Sequence, residues 1–189
     1  MDQVALIAFG ANRPSPAGDP VETVRAALAG LAASQGLCLR AASRLFRTPA
    51  FPQGSGPDFV NAAAAFDCSL EPAALLALLH RVEAEHGRRR DIRWGARSLD
   101  LDLLALGDAV LPDTETWRHW HDLTPDRQTL EAPKLLILPH PRLQDRAFVL
   151  VPLAEIAPDW RHPVLGLTVT GMRDRLPPED LAGVTPLPG

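Results

Sequence analysis

The spacing of apolar residues predicts strands and helices in the order β-α-β-β-α-β, with further elements behind them. Continuous or alternating apolar runs of strand length occupy residues 4–9, 37–48, 59–69 and 99–104. Apolar residues recur at helical spacing between the first two runs and again between the last two. This order is typical of an α+β fold of the ferredoxin-like βαββαβ type, an antiparallel sheet with helices on one face. The other face is expected to stay open for a site.

Both helices carry sequence signals at their ends. Asp19 can cap the first helix, Pro20 suits its first position, and Glu22 completes a capping-box spacing. The second helix is expected to begin near Pro72 and to end at Gly87.

The remaining segments are expected to be additions within a single domain of residues 1–176. Residues 112–133 are polar and are interpreted as an irregular loop insertion, after a tight turn and a short return strand that ends at 111. A helix is predicted over 147–156, with Pro152 near its first turns. Residues 177–189 form a Pro-rich tail that is predicted to be frayed.

Composition restricts the function classes. The chain has 189 residues, 46% of them hydrophobic, and a net charge of −4, which gives no strong attraction to nucleic acid. No apolar stretch approaches the roughly 18 residues of a membrane span. The N-terminal segment carries an acid and only a short apolar run, unlike a signal peptide. We therefore expect a cytoplasmic protein that acts on small molecules, without nucleic-acid or membrane partners. We also expect a monomer.

Two carboxylates lie on one face of the fourth predicted strand. Side chains alternate along a strand, so Asp100 and Asp102 share a face, and Leu99, Leu101 and Leu103 share the other. Carboxylates roughly 6–7 Å apart repel each other unless a cation lies between them. Hard oxygen ligands suit magnesium, so the pair is a candidate metal site.

Five arginines precede this pair, at positions 88, 89, 90, 93 and 97. Guanidinium groups bind phosphate through two parallel hydrogen bonds, and carboxylates that hold a metal commonly accompany them in phosphoryl transfer. The chain has no Walker-type loop, no protein-kinase motif set and no G-x-S-x-G. A bound phosphate would therefore depend on metal and arginines.

A simpler alternative is an Asp pair that faces water and an arginine run that is the solvated end of a helix. Leu104 and Leu106 continue the face of the Asp pair in the predicted alternation. The pair is therefore expected at the rim of a cleft in the core.

Longer segments resemble those of the 6-hydroxymethyl-7,8-dihydropterin pyrophosphokinase family of folate biosynthesis. Residues 93–104, RWGARSLDLDLL, resemble the signature of that family. Further blocks follow in order: AFGAN at 8–12, FRTP at 46–49, DFVNA at 58–62, RVE at 81–83, PHPR at 139–142, RAF at 146–148 and PLAEIAP at 152–158.

The resemblance implies an enzyme that transfers the terminal diphosphate of ATP to the hydroxymethyl group of the dihydropterin and releases AMP. ATP would be the co-substrate, and two Mg²⁺ ions would be the cofactors. The catalytic residues that it implies are Arg88, Arg97, Asp100 and Asp102, of which Asp100 and Asp102 would hold the metal.

The resemblance also implies two sets of binding residues. For the pterin these are Phe59 and Phe148 as stacking rings, Asn61 as the partner of the ring edge, Trp94 over the site, and Thr48 and Pro49. For ATP they are His80, Glu83, Arg90, Arg93, Leu103, His140 and Arg146.

The chain departs from the family pattern near His140. Pro141 follows this histidine where many members have tyrosine, and Leu135 takes the place of a basic residue, with Lys134 beside it. These departures concern contacts to ribose and adenine rather than the transfer chemistry.

Two other functions fit some of the same residues. A metal-dependent phosphoryl or nucleotidyl transferase acting on another small alcohol would use the Asp pair and the arginines equally well, but it would not need Phe59, Asn61 and Phe148. A ferredoxin-like RNA-binding module would use aromatic residues of the sheet as stacking platforms. The negative net charge argues against this second alternative.

Overall fold

The computed structural model describes residues 3–50, 56–87, 98–124, 127 and 130–188. Within them the strands form one antiparallel sheet: β1 (Gln3–Ala11), β2 (Leu37–Ala42), β3 (Phe46–Thr48), β4 (Phe59–Cys68), β5 (Asp100–Leu106) and β6 (Thr185–Pro186). Their order across the sheet is β5-β1-β4-β3-β6, and β2 pairs with another part of β4. The long strands β1 and β4 are therefore central, as their apolar runs predict.

The described helices are α1 (Pro20–Ala32), α2 (Pro72–Glu85), α3 (Thr114–His121), α4 (Ala147–Ile156), α5 (Val169–Arg173) and α6 (Pro178–Ala182). The predicted capping box of α1 is confirmed, because Asp19 Oδ1 accepts from Glu22 N and Glu22 Oε2 accepts from Asp19 N, both at 2.9 Å. The helix over 147–156 is also confirmed. No helix in these ranges has the length and apolarity of a membrane span.

The two faces of the sheet pack against different helices. The first face and helices α1 and α2 enclose one core, which includes Ile7, Phe9, Val24, Leu31, Phe66, Leu75, Leu79, Leu101 and Leu103. The second face packs against α4 and α5 in another core, which includes Leu6, Ala8, Ala63, Ala65, Leu104, Val149, Leu150, Leu153 and Val169.

The expectation of helices on one face alone, with the other face open, is therefore wrong. The second face carries apolar side chains such as Leu6 and Leu104, and α4 removes them from water. Asp100 and Asp102 share this face but are only half-buried. The candidate site thus lies where the apolar cover of the second face ends.

The single strand predicted over 37–48 is divided into β2 and β3. An extra residue between Leu39 and Ala41 shifts the register with β4, and a second break follows Ala42. At this break Ser43 Oγ accepts from the amide of Ala63 at 2.9 Å, which satisfies the β4 backbone without a regular strand pair.

Two segments predicted to be irregular contain regular structure. Within 112–133, Asp113 caps helix α3 by accepting from Thr116 N at 2.8 Å. The C-terminal segment is not frayed, since it contains α6 and the strand β6, which pairs with β3. The predicted return strand is reduced to one bridge between Leu111 and Leu138.

Candidate active site

Three residues of the candidate site lie side by side across three strands. Gly10 of β1 pairs with Asn61 of β4 on one side and with Asp100 of β5 on the other. Residues directly opposite each other in an antiparallel sheet point to the same face. The sheet register therefore places the Asn61 amide and the Asp100 carboxylate on one face, separated by a glycine.

Gly10 keeps the space between these two side chains open. A Cβ atom at this position would lie 3.2 Å from Asn61 Oδ1 and 4.0 Å from the Cβ of Asp100. A glycine inside a strand often marks a place where a ligand or another chain approaches the backbone closely. This gap is suited to a flat group that contacts the amide on one side and the acidic strand on the other.

The Asn61 amide is held in one orientation. Its Nδ2 donates to Thr48 Oγ1 at 2.7 Å, and both residues are buried, with 4% and 7% exposure. The amide oxygen is then the atom that faces Gly10. Asn61 thus presents a fixed hydrogen-bond acceptor to the gap, and Phe59, opposite Thr48, lies on the same face.

Asp102 is two residues along β5 from Asp100 and pairs with Ala8 of β1. Arg146, the residue before α4, donates from Nη1 to Asp102 Oδ2 at 3.3 Å. In the part of the chain that the structure describes, no cluster of three or more His, Cys, Asp or Glu side chains could hold a metal. The two carboxylates fit magnesium, which is commonly bound by one or two carboxylates with substrate phosphates and water completing its shell.

Phe148 lies in the first turn of α4, close to this pair of charges. The Arg146 guanidinium carbon is 5.7 Å from the centre of its ring, within cation–π distance. Phe148 is 40% exposed and is one of the exposed large hydrophobic residues in the part of the chain that the structure describes. It therefore offers an aromatic surface at the end of the site.

The loop that carries His140 is attached to β5. His140 N donates to Leu104 O at 2.7 Å, and His140 Nδ1 accepts from Arg142 N at 3.0 Å. Burial, together with the positive charge of Arg146, lowers the pKa of His140 to about 4. The imidazole is therefore neutral at pH 7, and its proton lies on Nε2, because Nδ1 is an acceptor.

Glu83 of α2 reaches the edge strand between the two aspartates. Its Oε1 accepts from Leu101 N at 2.8 Å, and the residue is 1% exposed. The carboxylate satisfies a backbone N–H at the sheet edge and fixes the strand segment that presents the Asp pair.

The structure brings together part of the predicted site. Eight of the predicted residues lie on or beside the second face or on the loop attached to β5: Thr48, Phe59, Asn61, Asp100, Asp102, His140, Arg146 and Phe148. Glu83 contacts β5 from helix α2. Leu103 is instead buried in the first core, while His80 on α2 and Pro49 are exposed. The predicted residues Arg88, Arg90, Arg93, Trp94 and Arg97 lie outside the described residues.

Sequence reasoning left two site residues without a role. Gly10 separates the amide from the acidic strand, and a glycine inside an apolar run is the signal that could have indicated it. Asn12, which is 4% exposed, donates from Nδ2 to Pro57 O at 3.2 Å and so holds the segment before β4. A polar residue directly after a buried strand was its available signal.

Comparison with known proteins identifies relatives over most of the chain. The family model described as 7,8-dihydro-6-hydroxymethylpterin-pyrophosphokinase (HPPK) matches residues 6–158. The 2-amino-4-hydroxy-6-hydroxymethyldihydropteridine pyrophosphokinase of Pseudomonas aeruginosa is 38% identical over 163 residues, which cover 86% of this chain and 86% of the relative. The protein of the same name from Synechocystis is 36% identical over 167 residues, or 87% of this chain and 72% of the relative.

Solved structures share the fold at low sequence identity. A crystal structure of HPPK-DHPS in complex with substrates has a TM-score of 0.66 at 12% identity and covers 92% of this chain. Wild-type HPPK-DHPS of Plasmodium falciparum has a TM-score of 0.64 at 14% identity and covers 93%. This chain spans 43% and 41% of those two longer chains. On the match to the family model and the identity to these relatives, the chain belongs to the 7,8-dihydro-6-hydroxymethylpterin-pyrophosphokinase family.

Proposed function

We propose that this chain transfers the β,γ-diphosphate of ATP to the hydroxymethyl oxygen of 6-hydroxymethyl-7,8-dihydropterin, a step of folate biosynthesis. The bond between the β-phosphorus and the oxygen that bridges it to the α-phosphorus breaks, and a bond forms between the β-phosphorus and the hydroxymethyl oxygen. The products are AMP, the pterin diphosphate and a proton. Family membership over residues 6–158 supports this reaction.

One observation carries the proposal to this chain. In the row Asn61–Gly10–Asp100 the amide oxygen of Asn61 lies beside a gap, with a carboxylate on the other side. This arrangement supports an acceptor for a heterocycle edge next to a magnesium site. A pterin has hydrogen-bond donors on one edge and a hydroxymethyl group elsewhere on the ring. Asn61 can therefore hold the pterin ring while the hydroxymethyl group of the pterin points toward the acidic strand.

Asp100 and Asp102 would hold the magnesium ions, two in our proposal. Magnesium bound there would neutralise charge on the triphosphate and favour in-line attack. The residues themselves fit this role because both carboxylates are half-buried on one strand face, and Arg146 already offsets charge at Asp102. A strand paired along its length with β1 would hold both carboxylates in place, which reduces the entropy cost of aligning the substrates.

The pterin would lie between aromatic surfaces. Phe59 and Phe148 are proposed as the two stacking partners, since a planar ring is bound well by aromatic faces. Asn61 would accept from the ring edge while Thr48 keeps its amide in position. Pro49 and Trp94 are proposed to complete the pterin side.

The triphosphate would meet a set of donors on the other side. Arg146 and His140 are the described candidates, one as a charged fork and the other as a neutral Nε2–H donor. Family resemblance supports further contacts, in our proposal from Arg88, Arg90, Arg93 and Arg97, with His80, Glu83 and Leu103 on the nucleotide side. An arginine fork can follow the negative charge that develops on the bridging oxygen as this oxygen leaves with AMP.

We also infer that the core is ferredoxin-like. The supporting observation is the strand order β5-β1-β4-β3, with α1 and α2 packed on the same face. In such a sheet the first and third strands of the motif are central, and here these are β1 and β4.

The direct test is to mix the protein with ATP, Mg²⁺ and 6-hydroxymethyl-7,8-dihydropterin and to follow nucleotides and pterins by chromatography. AMP and pterin diphosphate should form in equal amounts. Formation of ADP would mean that a different phosphorus is attacked, and it would contradict the proposal. Replacing the pterin by another small primary alcohol should abolish turnover; this distinguishes the proposed reaction from a general transferase.

The family match and the acidic net charge give no support to the RNA-binding alternative.

A further inference from the structure

Helix α3 lies in a segment for which the proposed reaction has no assigned role. Asp113 caps it with two hydrogen bonds, from Thr116 N at 2.8 Å and from Thr116 Oγ1 at 3.0 Å. These bonds lower the pKa of the Asp113 carboxyl, so the cap is charged at neutral pH. The helix is thus a defined element rather than a loop, and two of its contacts reach the loop that carries His140.

The first contact reaches the residue before His140. Trp117 Nε1 donates to Pro139 O at 2.7 Å, and the indole is 1% exposed. Its ring stacks on His121 at 4.8 Å between centroids and meets His162 edge-on at 4.9 Å. Neighbours on both sides hold the indole, so its N–H has a fixed direction.

The second contact begins two residues after His140. The Arg142 guanidinium donates to three carbonyl oxygens at the end of α3: Trp120 O at 2.9 Å, His121 O at 3.0 Å and Leu123 O at 3.2 Å. The last carbonyl groups of a helix have no partner within it, and a cation is favoured at this negative end of the helix dipole. One side chain therefore joins the end of α3 to the histidine loop.

These contacts fix the backbone on both sides of His140. Its own amide is bonded to Leu104 of β5, and its Nδ1 accepts from the amide of Arg142. The Arg142 residue thus links α3 to the imidazole directly, because its side chain binds the helix and its backbone binds the ring. Displacing α3 would rotate or release the ring.

We propose that α3 positions His140 for the triphosphate, with Trp117 and Arg142 as positioning residues. This inference rests on the proposed assignment of His140 to ATP. Neither residue needs to touch a substrate. They act by holding the His140 loop so that Nε2–H is presented in one direction, which lowers the cost of ordering it when ATP binds.

The test compares two tryptophan variants that each lose one indole–carbonyl hydrogen bond. Trp117→Phe keeps an aromatic ring and removes the bond to Pro139 O. Trp160→Phe is the matched control: Trp160 Nε1 donates to Gly107 O at 3.4 Å, and its ring meets His162 edge-on at 5.7 Å, so this variant also tests whether a change beside His162 alone has the effect. Mg·ATP binding is measured by calorimetry without pterin, pterin binding separately, and the ring nitrogens of His140 by ¹H–¹⁵N NMR.

Trp117→Phe should weaken Mg·ATP binding about fivefold to tenfold, the effect of one lost hydrogen bond. It should raise KM for ATP with little change in kcat and in pterin affinity, and it should shift the His140 nitrogen signals. Trp160→Phe should change none of these. Arg142→Lys keeps the charge but loses the fork, so it should resemble Trp117→Phe.

Unchanged His140 signals and ATP affinity in Trp117→Phe would overturn the inference, as would equal losses in both tryptophan variants. A failure of the underlying assignment gives a different pattern. If His140→Ala binds Mg·ATP normally, the role of His140 is wrong, whereas a signal shift in Trp117→Phe would still report the link between α3 and the ring.

Discussion

Arg146 and Asp102 form an ion pair at the candidate metal site, with Nη1 and Oδ2 3.3 Å apart. Their side chains are 33% and 32% exposed, so water screens the pair, and it adds little to stability. The pair matters instead for the charge and the contacts within the candidate site. Arg146 offsets one of two neighbouring carboxylates and also lies over the ring of Phe148. The same guanidinium therefore joins the proposed metal ligand Asp102 to the proposed stacking ring of Phe148.

Arg146→Ala should separate metal binding from nucleotide binding. Without the guanidinium, Asp102 loses a competing cation, so Mg²⁺ or Mn²⁺ alone should bind as tightly as before or more tightly. Mg·ATP should bind about tenfold more weakly, because a charged hydrogen bond to phosphate is lost. Calorimetry with the metal alone and with the metal plus ATP measures these two affinities.

A matched control removes another arginine–carboxylate pair. Arg44 Nε donates to Glu155 Oε1 at 2.8 Å, at the junction of β2 and β3. Arg44→Ala should leave both affinities unchanged. A lower affinity of Arg146→Ala for the metal alone would mean that Arg146 does not compete with the metal for Asp102.

Asp102→Asn tests the metal site itself. Loss of one carboxylate charge should reduce turnover by several orders of magnitude if metal alignment carries catalysis. Asp108→Asn, in the exposed turn after β5, is the control and should retain full activity. A rate within tenfold of the wild type in Asp102→Asn would exclude a direct metal role for this residue.

Gly10→Ala should weaken pterin binding without unfolding the protein. The added methyl would lie 3.2 Å from Asn61 Oδ1, tighter than an ordinary contact, and would fill the gap beside Asp100. We expect the pterin dissociation constant to rise at least about tenfold, since the amide must shift from the direction that Thr48 sets. Fluorescence titration with the pterin measures the effect.

Gly30→Ala is the control for this substitution. A Cβ atom at Gly30 meets nothing within 4 Å, and the position is exposed on α1. Alanine there should stabilise the helix by about 0.5–1 kcal/mol and should not change the affinity for the pterin. Normal pterin affinity in Gly10→Ala would show that the gap is not used.

Glu83→Ala should loosen the strand that carries the Asp pair. It leaves the buried amide of Leu101 without its carboxylate acceptor, which should cost about 1–3 kcal/mol of unfolding free energy in urea. The Leu101 amide should exchange with deuterium faster. Glu83→Gln should lose less unfolding free energy, because the amide oxygen of glutamine can still accept from Leu101 N.

Glu85→Ala, exposed on the same helix, provides the comparison. It should change neither stability nor exchange at Leu101. Full protection of Leu101 in Glu83→Ala would mean that the strand edge does not depend on this carboxylate.

The local part of this site is predictable from sequence, because it depends on neighbours along the chain. Alternation places Asp100 and Asp102 together and opposite Leu101 and Leu103, as the structure confirms. The prediction for Leu106 is wrong. A bulge opposite the Leu6–Ile7 step moves Leu106 into the first core while Leu104 stays in the second. A one-residue shift reverses every later side chain, and periodicity alone does not reveal it.

The long-range part required the register between strands. The row of Asn61, Gly10 and Asp100 joins residues far apart in sequence, and only the pairing of β1 with both neighbours places them together. Helix α3 was missed for another reason. It has only eight residues, and its apolar side is limited to Trp117, which is buried against Pro139 and His162, and Trp120. Two apolar positions are too few to establish a helical period in the sequence.

The last prediction concerns pH and His162. This residue is fully buried, and its Nδ1 accepts from the amides of Val164 and Leu165 at 3.2 Å. Burial, followed by the charge of His121 on α3, lowers the pKa of His162 from 6.5 to about 4. Between these values the unfolded chain binds a proton that the folded chain does not, so the free energy of unfolding falls as pH falls.

The contribution of His162 is complete above about pH 6.5 and declines as pH approaches 4, by up to about 3 kcal/mol in total. His162→Gln, which can still accept from the backbone but does not titrate, should show a shallower loss of stability in urea between pH 7 and 4.5. His119→Gln, at an exposed position of α3, should keep the wild-type slope. Part of this dependence of the unfolding free energy on pH should remain in His162→Gln, because the pKa of His140 is also lowered to about 4. An unchanged slope in His162→Gln would mean that the buried imidazole does not control the acid stability.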